Sequence, residues 1–234
     1  MTKQQTVSCI IPAFNEASRI RNVLRVAVGH PLISEILVID DGSTDGTRDI
    51  ISGYTGIIPI LLPKNGGKSA AVVEGVRHSS SDLIFLLDAD LTGLTAETLS
   101  ALIEPVLSGS ADIAISLRHN TPLLWRMIGL DYISGERVFS KAFIMPLLGE
   151  LTNLHGFGLE VFINRHLIRN HMKIAVVWWP QVASAFKHTE GQPWYYFGIK
   201  KDFVRMAFLV LRTITPWEAA SQIVWMLWQR TLYK

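Results

Sequence analysis

A single cysteine, Cys9, is the whole thiol content of this 234-residue chain, which excludes an intrachain disulfide framework. It lies inside an apolar run, where a small buried thiol is expected rather than a nucleophile. Charge is sparse too. Charged residues make up 18% of the chain, below the roughly 25% of soluble domains, and a formal net charge of +2 gives nucleic-acid binding no support. The apolar stretch at residues 206–211 falls short of the roughly 20 residues a membrane-spanning helix needs, and Arg212, Pro216 and Glu218 break any longer run. The first residues, MTKQQTVSCIIPAFNE, carry one lysine and a short apolar run ending at Pro12. They lack the shape of a secretory signal, so the active part is expected in the cytoplasm. Two glycine signatures are missing as well. No G-x-x-x-x-G-K-[S/T] occurs and no G-x-G-x-x-G follows the first apolar run, which removes the main support for NTPase and dinucleotide-dehydrogenase readings.

What the chain has is apolar residues, 49% of the total, enough for one substantial core and too few for two ordinary domains with linkers. Residues 7–11, 36–39, 57–62, 83–87 and 113–115 are short aliphatic runs with few polar breaks, the pattern of strands buried on both faces of a parallel sheet. Residues 16–28, 45–52, 68–77 and 96–107 carry apolar positions at three-to-four spacing, and Thr95 is placed to cap the last of them. Strands alternating with helices predict an α/β fold: an open, mostly parallel sheet flanked by helices. After about residue 120 the alternation breaks. Residues 121–127 and 137–148 read as helical, a glycine-bracketed turn at 155–158 leads into a helix to about Asn170, and 173–177 reads as a last strand.

In open parallel sheets ligands gather past the carboxyl ends of the strands. The first strand is followed by Phe14, Asn15 and Glu16, the second by Asp40 and Asp41, the fourth by Asp88 and Asp90. Three acidic clusters on one edge are costly for an empty surface and sensible around a cation. Asp88 and Asp90, two apart in an extended segment, can face one site and offer hard oxygen ligands to Mg2+ or Mn2+, an ion suited to bridging two phosphates. Residues 65–69, Asn-Gly-Gly-Lys-Ser, combine a flexible backbone, a cation and a helix start, a cradle for phosphate oxygens.

The segments IIPAFNE, VIDDGSTDGT, NGGKSAAVVEGV and DLIFLLDAD, in that order over the first 90 or so residues, resemble the signature segments of family 2 glycosyltransferases with the GT-A fold. The resemblance implies a nucleotide diphosphate sugar as donor and direct displacement with inversion. It implies that Pro12, Phe14, Asn15 and Glu16 contact base and ribose, that Asp40 or Asp41 contacts the base, that Lys68 touches the diphosphate, and that Asp88 and Asp90 hold the metal beside the donor. Residues 131–141, DYISGERVFSK, and 155–165, HGFGLEVFINR, resemble two smaller groups: polyprenyl-phosphate (dolichyl-phosphate type) sugar synthases and glucosyl-3-phosphoglycerate synthases. Both use a phosphate-bearing acceptor. Arg137, one turn from Lys141 on a helix, is the candidate for that phosphate, with Arg118 or Arg126 as helpers. Glu160 is a candidate for orienting acceptor or sugar hydroxyls, or else caps its helix. His188 stands about where relatives place a histidine that completes the metal shell, with His155 in reserve.

No general base stands out. A phosphate monoester, with a second pKa of about 6, is already largely dianionic and needs none. Neither the Glu-Asp pair nor the Q-x-x-R-W motif of processive, hydroxyl-using members is present, which favours single transfer to a phosphate acceptor. The catalytic domain is expected over 1–190 and an amphipathic helical tail over 191–234. The tail, with Trp217, Trp225 and Trp228 among flanking cations, fits peripheral contact with the cytoplasmic face of a membrane, where polyprenyl phosphate would be met. Its alternatives are a packed cap or a homodimer interface, which would suit a soluble acceptor such as 3-phosphoglycerate. A non-catalytic sugar-nucleotide-binding membrane adaptor is the remaining reading.

Overall fold

The computed structural model describes residues 5–121, 123–152, 154, 158–184 and 215–233. Strands β1 (Val7–Ala13), β2 (Glu35–Asp40) and β3 (Ile58–Leu61) run parallel, and β4 (Leu83–Leu86) lies parallel on the other side of β1. β6 (Ile113–Arg118) and β8 (Ile174–Trp179) continue the sheet, and β7 (Arg137–Ser140) inserts antiparallel between β4 and β6. β10 (Arg230–Tyr233) adds a parallel edge strand beside β8, giving eight strands in the order β10-β8-β6-β7-β4-β1-β2-β3. A small antiparallel pair joins β5 (Leu91–Thr92) to β9 (Ala183–Ser184).

Helices cover both faces, and strand alternation divides the core. Ile10, Leu37, Ile39 and Phe139 pack with α3 (Lys68–His78), α7 (Leu148–Leu151), α8 (Gly158–Arg169) and α9 (Pro216–Gln229). Cys9, Ile11, Ile36, Val38 and Val138 pack on the opposite face with α1 (Ile20–Ala27), α2 (Thr47–Ser52) and α4 (Ala96–Leu107). Successive side chains on a strand point to opposite faces, so a sheet covered on both sides demands unbroken apolar runs. Cys9 is wholly buried, and burial pushes its thiol pKa far up, which leaves it inert. β3 departs from this rule. As the edge strand it leaves Ile58 and Leu61 more than 40% exposed, and Pro59 sits where a missing donor costs least. Thr95 caps α4 in a reciprocal box: its Oγ1 accepts from the Thr98 N–H at 3.3 Å, and its own N–H donates to Thr98 Oγ1 at 3.0 Å.

Two expectations from the sequence are corrected. Residues 137–148 do not form one helix: Arg137–Ser140 is β7, followed by α6 (Lys141–Ile144), a 3-10 turn (Met145–Leu147) and α7. Val138 and Phe139 belong to opposite core clusters, so the segment is worth more as a strand filling the gap between β4 and β6 than as a helix with one buried face. The tail carries its expected helix and is corrected only by an added strand: residues 191–214 lie outside the described residues, and in the rest the helix is followed by β10. α9, capped by Thr215, runs straight into β10, and Gln222 and Met226 are buried against the body. α5 (Leu123–Ile128) matches the helix expected near residue 121.

Gly75, in the middle of α3, marks a close approach of helix to sheet: a Cβ there would lie 2.5 Å from Ile10 Cγ2 and 2.9 Å from Ile39 Cδ1. Gly75→Ala gains roughly 0.5–1 kcal/mol of helix propensity and loses roughly 1–3 kcal/mol to overpacking, so the packing term wins. The expected result is a lower denaturant midpoint with an unchanged slope; an equal or higher midpoint would contradict this packing.

Candidate functional site

The strand ends form a cavity of about 190 Å³ lined by Pro12, Ala13, Phe14, Glu16, Asp41, Lys68, Ala71, Asp88, Ala89 and Asp90. Parallel order puts the turns after β1, β2 and β4 on one edge, and α3 starts there with Lys68. Asn15 adopts φ 55°, a left-handed conformation that Asn tolerates better than most residues, and bonds the second turn twice. Its N–H donates to Ser43 Oγ at 2.9 Å, and its Oδ1 accepts from the Thr44 N–H at 2.9 Å. Gly42, at φ 72°, has backbone atoms of Lys64 and Asn65 within 2.9 Å of where a Cβ would stand, so only glycine fits.

The two adjacent aspartates diverge. Asp40 is fully buried away from the cavity, accepting from Arg48 Nε at 2.9 Å and the Ser43 N–H at 3.2 Å. Asp41 faces the cavity, and its two oxygens accept from the N–H groups of Gly66 and Gly67, each at 2.8 Å. Those N–H groups, a phosphate cradle by sequence pattern, are therefore engaged by Asp41. Glu16 is buried at the cavity wall, where its Oε2 accepts from Arg19 Nε at 2.6 Å.

Lys68 Nζ lies 2.8 Å from Asp88 Oδ1 and 3.1 Å from Glu160 Oε1. Burial opposes the ammonium charge, but Asp88 and Glu160 outweigh it and hold the lysine pKa above its usual value. Burial likewise opposes the charge of Asp88, and Lys68 reverses that, lowering the pKa. Asp90 is pushed up to about 6 by burial first, then by Asp88 and Glu16, with Arg118 pulling the other way. Glu160, expected to orient a hydroxyl or cap α8, instead bonds Lys68, and its buried Oε2 has no hydrogen-bond partner.

Arg137 is corrected most firmly. It stands on β7, fully buried, and its Nε, Nη1 and Nη2 donate to Ser134 O at 2.8 Å, Asn164 Oδ1 at 2.7 Å and Tyr132 O at 3.2 Å. Every guanidinium nitrogen is used, so Arg137 braces the loop rather than offering a phosphate site. Lys141 turns away to Ser79 O, and Arg126 donates to His119 O at 3.2 Å. Of the proposed helpers, Arg118 is the one near the cavity: it pairs with Glu136 at 3.2 Å and Asp131 at 3.6 Å, while its buried Nε has no partner. Sequence pattern misses Glu136. Its Oε2 accepts from Ser116 Oγ at 2.6 Å and Ser134 Oγ at 2.9 Å, and burial raises its pKa despite Arg118. Gly135 is missed too; its only signal is a place between two polar residues. A Cβ there would be 2.5 Å from both Asp88 Oδ2 and Lys68 Nζ.

Among the described residues no three His, Cys, Asp or Glu side chains are grouped to hold a metal. His188 and His155 lie outside the described residues. Asp88 and Asp90 still supply two hard donors, and the acid excess that resists ionisation of Asp90 is what a divalent cation would relieve, so the residues fit such an ion.

Residues 8–154 match the family model for glycosyl transferase family 2. Undecaprenyl-phosphate 4-deoxy-4-formamido-L-arabinose transferase of Aeromonas hydrophila is 32% identical over 133 residues, 53% of this chain and 40% of the relative. 4,4'-Diaponeurosporenoate glycosyltransferase of Staphylococcus aureus is 29% identical over 171 residues, 69% and 44%. The chain spans less than half the length of either relative. The crystal structure of glucosyl-3-phosphoglycerate synthase from Mycobacterium tuberculosis with Mn2+, UDP-glucose and phosphoglyceric acid has a TM-score of 0.68 at 22% identity, covering 94% of this chain and 80% of that one. The same enzyme with Mg2+ and UDP gives 0.66 at 21%, covering 89% and 79%. At these identities the likeness establishes a shared GT-A fold.

The raised pKa of Asp90 has a sign that can be tested. The native state holds the proton more tightly than the unfolded chain does, so this group stabilises below its ordinary pKa and loses that contribution as pH rises through about 6. In EDTA, Asp90→Asn should raise the melting temperature at about pH 8 and change it little at about pH 5, because the amide removes a carboxylate ionised only at the higher pH. A melting difference independent of pH over that range would contradict the electrostatics described.

Proposed function

The chain belongs to glycosyl transferase family 2, and from that premise we propose that it transfers one sugar at a time, with inversion, from a nucleotide diphosphate sugar to a phosphate-bearing acceptor, preferentially polyprenyl phosphate. The observation that carries this reading is the meeting of Asp88, Asp90, Lys68, Glu16 and Phe14 in one cavity at the carboxyl edge of the sheet. Asp88 and Asp90 would hold Mg2+ or Mn2+, with His188 as the proposed third ligand and His155 in reserve. When bound, the ion supplies neutralisation of the charge that grows on the departing diphosphate. Lys68 is a point-charge clamp for that diphosphate. Pro12, Phe14, Asn15, Glu16 and Asp41 serve base and ribose, Phe14 by its half-exposed ring, Glu16 and Asp41 as acceptors, and Asn15 by fixing the turn. Arg118, whose buried Nε has no partner and whose charge acts on Asp88 and Asp90, is the proposed contact for the acceptor phosphate. That phosphate is its own nucleophile, which fits the lack of a separate base.

The acceptor preference draws on the relative named for undecaprenyl phosphate and on α9. Among the described residues no helix is long and apolar enough to cross a membrane. α9 nevertheless exposes Trp217 at 86%, Val224 at 67% and Trp228 at 78%. These residues, with Ala220 and Ser221, make one uncharged face, suited to peripheral contact with the cytoplasmic side of a bilayer. In this reading 1–190 is the catalytic unit and 191–234 the membrane-facing tail, moored to the sheet by β10. The second reading is a soluble acceptor such as 3-phosphoglycerate, supported by the structural neighbour bound to phosphoglyceric acid; the same face would then be covered in a homodimer. The adaptor reading is disfavoured by the intact Lys68, Asp88 and Asp90.

Nucleotide sugars should be screened for turnover with Mg2+ and Mn2+, with polyprenyl phosphate in vesicles and with 3-phosphoglycerate. Asp88→Asn or Asp90→Asn should lower divalent-dependent turnover by more than about 100-fold, since even outer-shell partners of metals cost about 10–100-fold. Near-normal turnover in both variants would remove the metal from the account.

A separate measurement addresses the membrane face. The 234-residue chain should sediment with anionic liposomes, release partly at high salt because Lys200, Lys201, Arg205 and Arg212, ahead of the uncharged face, supply the electrostatic part of the binding, and lose binding on the double change Trp217→Ser and Trp228→Ser with its melting temperature kept. Robust transfer to 3-phosphoglycerate without liposome binding would establish the soluble reading instead.

A further inference from the structure

Lys68 sits where two carboxylates compete for one ammonium. Its Nζ is 2.8 Å from Asp88 and 3.1 Å from Glu160, and the two acids come from different elements, the end of β4 and the first turn of α8. The arrangement is tightly seated. Gly135 passes so close that a Cβ would lie 2.5 Å from both Asp88 Oδ2 and Lys68 Nζ, so the loop presses on this ion pair with no side chain of its own. Glu160 keeps its second oxygen buried and unpartnered, so it can accept more from the ammonium than it does here.

Asp88 is also one of the two carboxylates assigned above to the metal. A divalent ion on Asp88 and an ammonium 2.8 Å from the same oxygen repel each other, and like charges at such separations are strongly unfavourable where water is partly excluded. The ammonium therefore has to leave Asp88 as the metal arrives. It has two places to go: fully onto Glu160, or onto a diphosphate.

Resting on the donor-site reading, we propose that Lys68 is the stand-in cation of the donor-free site, neutralising Asp88 until metal and nucleotide arrive, with Glu160 as its alternative partner. Metal and nucleotide binding are then coupled through one side chain: the diphosphate draws Lys68 off Asp88 and frees a ligand for the metal. Lys68 thus opposes the metal before the donor binds and assists the donor afterwards. A residue that merely supports the fold would do neither.

The test is Mn2+ binding to the 234-residue chain without nucleotide, followed by the free-ion electron spin resonance signal. Lys68→Gln, which keeps hydrogen bonding and removes the charge, should tighten Mn2+ binding by about 10-fold, in the range of ordinary coupling between sites, and weaken UDP binding. Lys68→Met serves if the glutamine variant does not fold. Glu160→Gln should loosen Mn2+ binding in the wild-type background, because Lys68 then rests wholly on Asp88, and should have little effect in the Lys68→Gln background. Unchanged or weaker Mn2+ binding by Lys68→Gln, or an equal loss from Glu160→Gln in both backgrounds, overturns the inference. Wild-type protein that binds no Mn2+ at all would instead overturn the assignment of Asp88 and Asp90 to a metal, a separable failure.

Discussion

A parallel sheet covered on both faces takes mainly apolar side chains in its strands and leaves unpaired acids to the strand ends, and the cavity of this molecule follows from that constraint. Apart from Ser8, the interior of β1, β2 and β4 is apolar, with Ile10, Ile11, Leu37, Val38, Ile84 and Phe85 unexposed. Parallel order then brings three turns to the same edge, each carrying acids that the strand interiors could not hold. The result is an acid-rich cavity with Lys68 as the cation on its wall. Asp90 registers the imbalance: burial and neighbouring acids resist its ionisation.

The loop between α5 and β7 is held by a different device. A buried guanidinium is tolerated only when its donors are met, and Arg137 meets them on Ser134, Asn164 and Tyr132, two of them in the loop itself and the third on α8. One residue before, Glu136 ties the same loop to β6 through Ser116 and Arg118. Between these anchors Gly135 is pinned against Asp88 and Lys68. Breaking such a network costs roughly 3–5 kcal/mol, because it leaves an unpaired charge inside, so the loop has little freedom to retreat. The wall of the cavity is set from behind by residues that never face it.

That distinction explains what the sequence discloses. Strand ends and the Asp-x-Asp spacing are local facts, and so Asp88, Asp90, Glu16 and Lys68 can be placed together from the order of residues alone. The same local facts do not separate Asp40 from Asp41. Adjacent residues point opposite ways, and which one faces the cavity depends on Arg48 and on the glycines at 66 and 67 lying across the turn. Arg137 reads as a helical phosphate ligand in the sequence because a cation near a phosphate-binding motif is ambiguous until its burial is known. Its strand exists because a vacancy between β4 and β6 awaits it, a long-range fact with no local signature. Gly135 and Glu136 act through close approach and burial, which spacing does not record.

α9 illustrates how a helix can belong to the fold and still present a foreign surface. Tryptophan content alone gives Trp217, Trp225 and Trp228 equal standing. The helix turns Trp225 inward against the core, 5.8 Å from the ring of His171, and leaves Trp217 and Trp228 outside. Its one acid, Glu218, pairs with Arg165 at 2.5 Å and is not among the residues of that face, which carry no charge to keep them in water. On the inward face Gln222 accepts from the Tyr132 hydroxyl at 2.6 Å, and the backbone oxygen of that same tyrosine accepts from Arg137 and Asn164. Three residues further on, Gly135 meets Asp88 and Lys68. Hydrogen bonds from the exposed tryptophan helix to Tyr132, and then a close approach of Gly135, thus connect α9 to the wall of the cavity. With β10 closing the sheet beyond it, α9 is built into the same body as the cavity, so any surface that docked there would hold the cavity edge at a fixed distance and orientation.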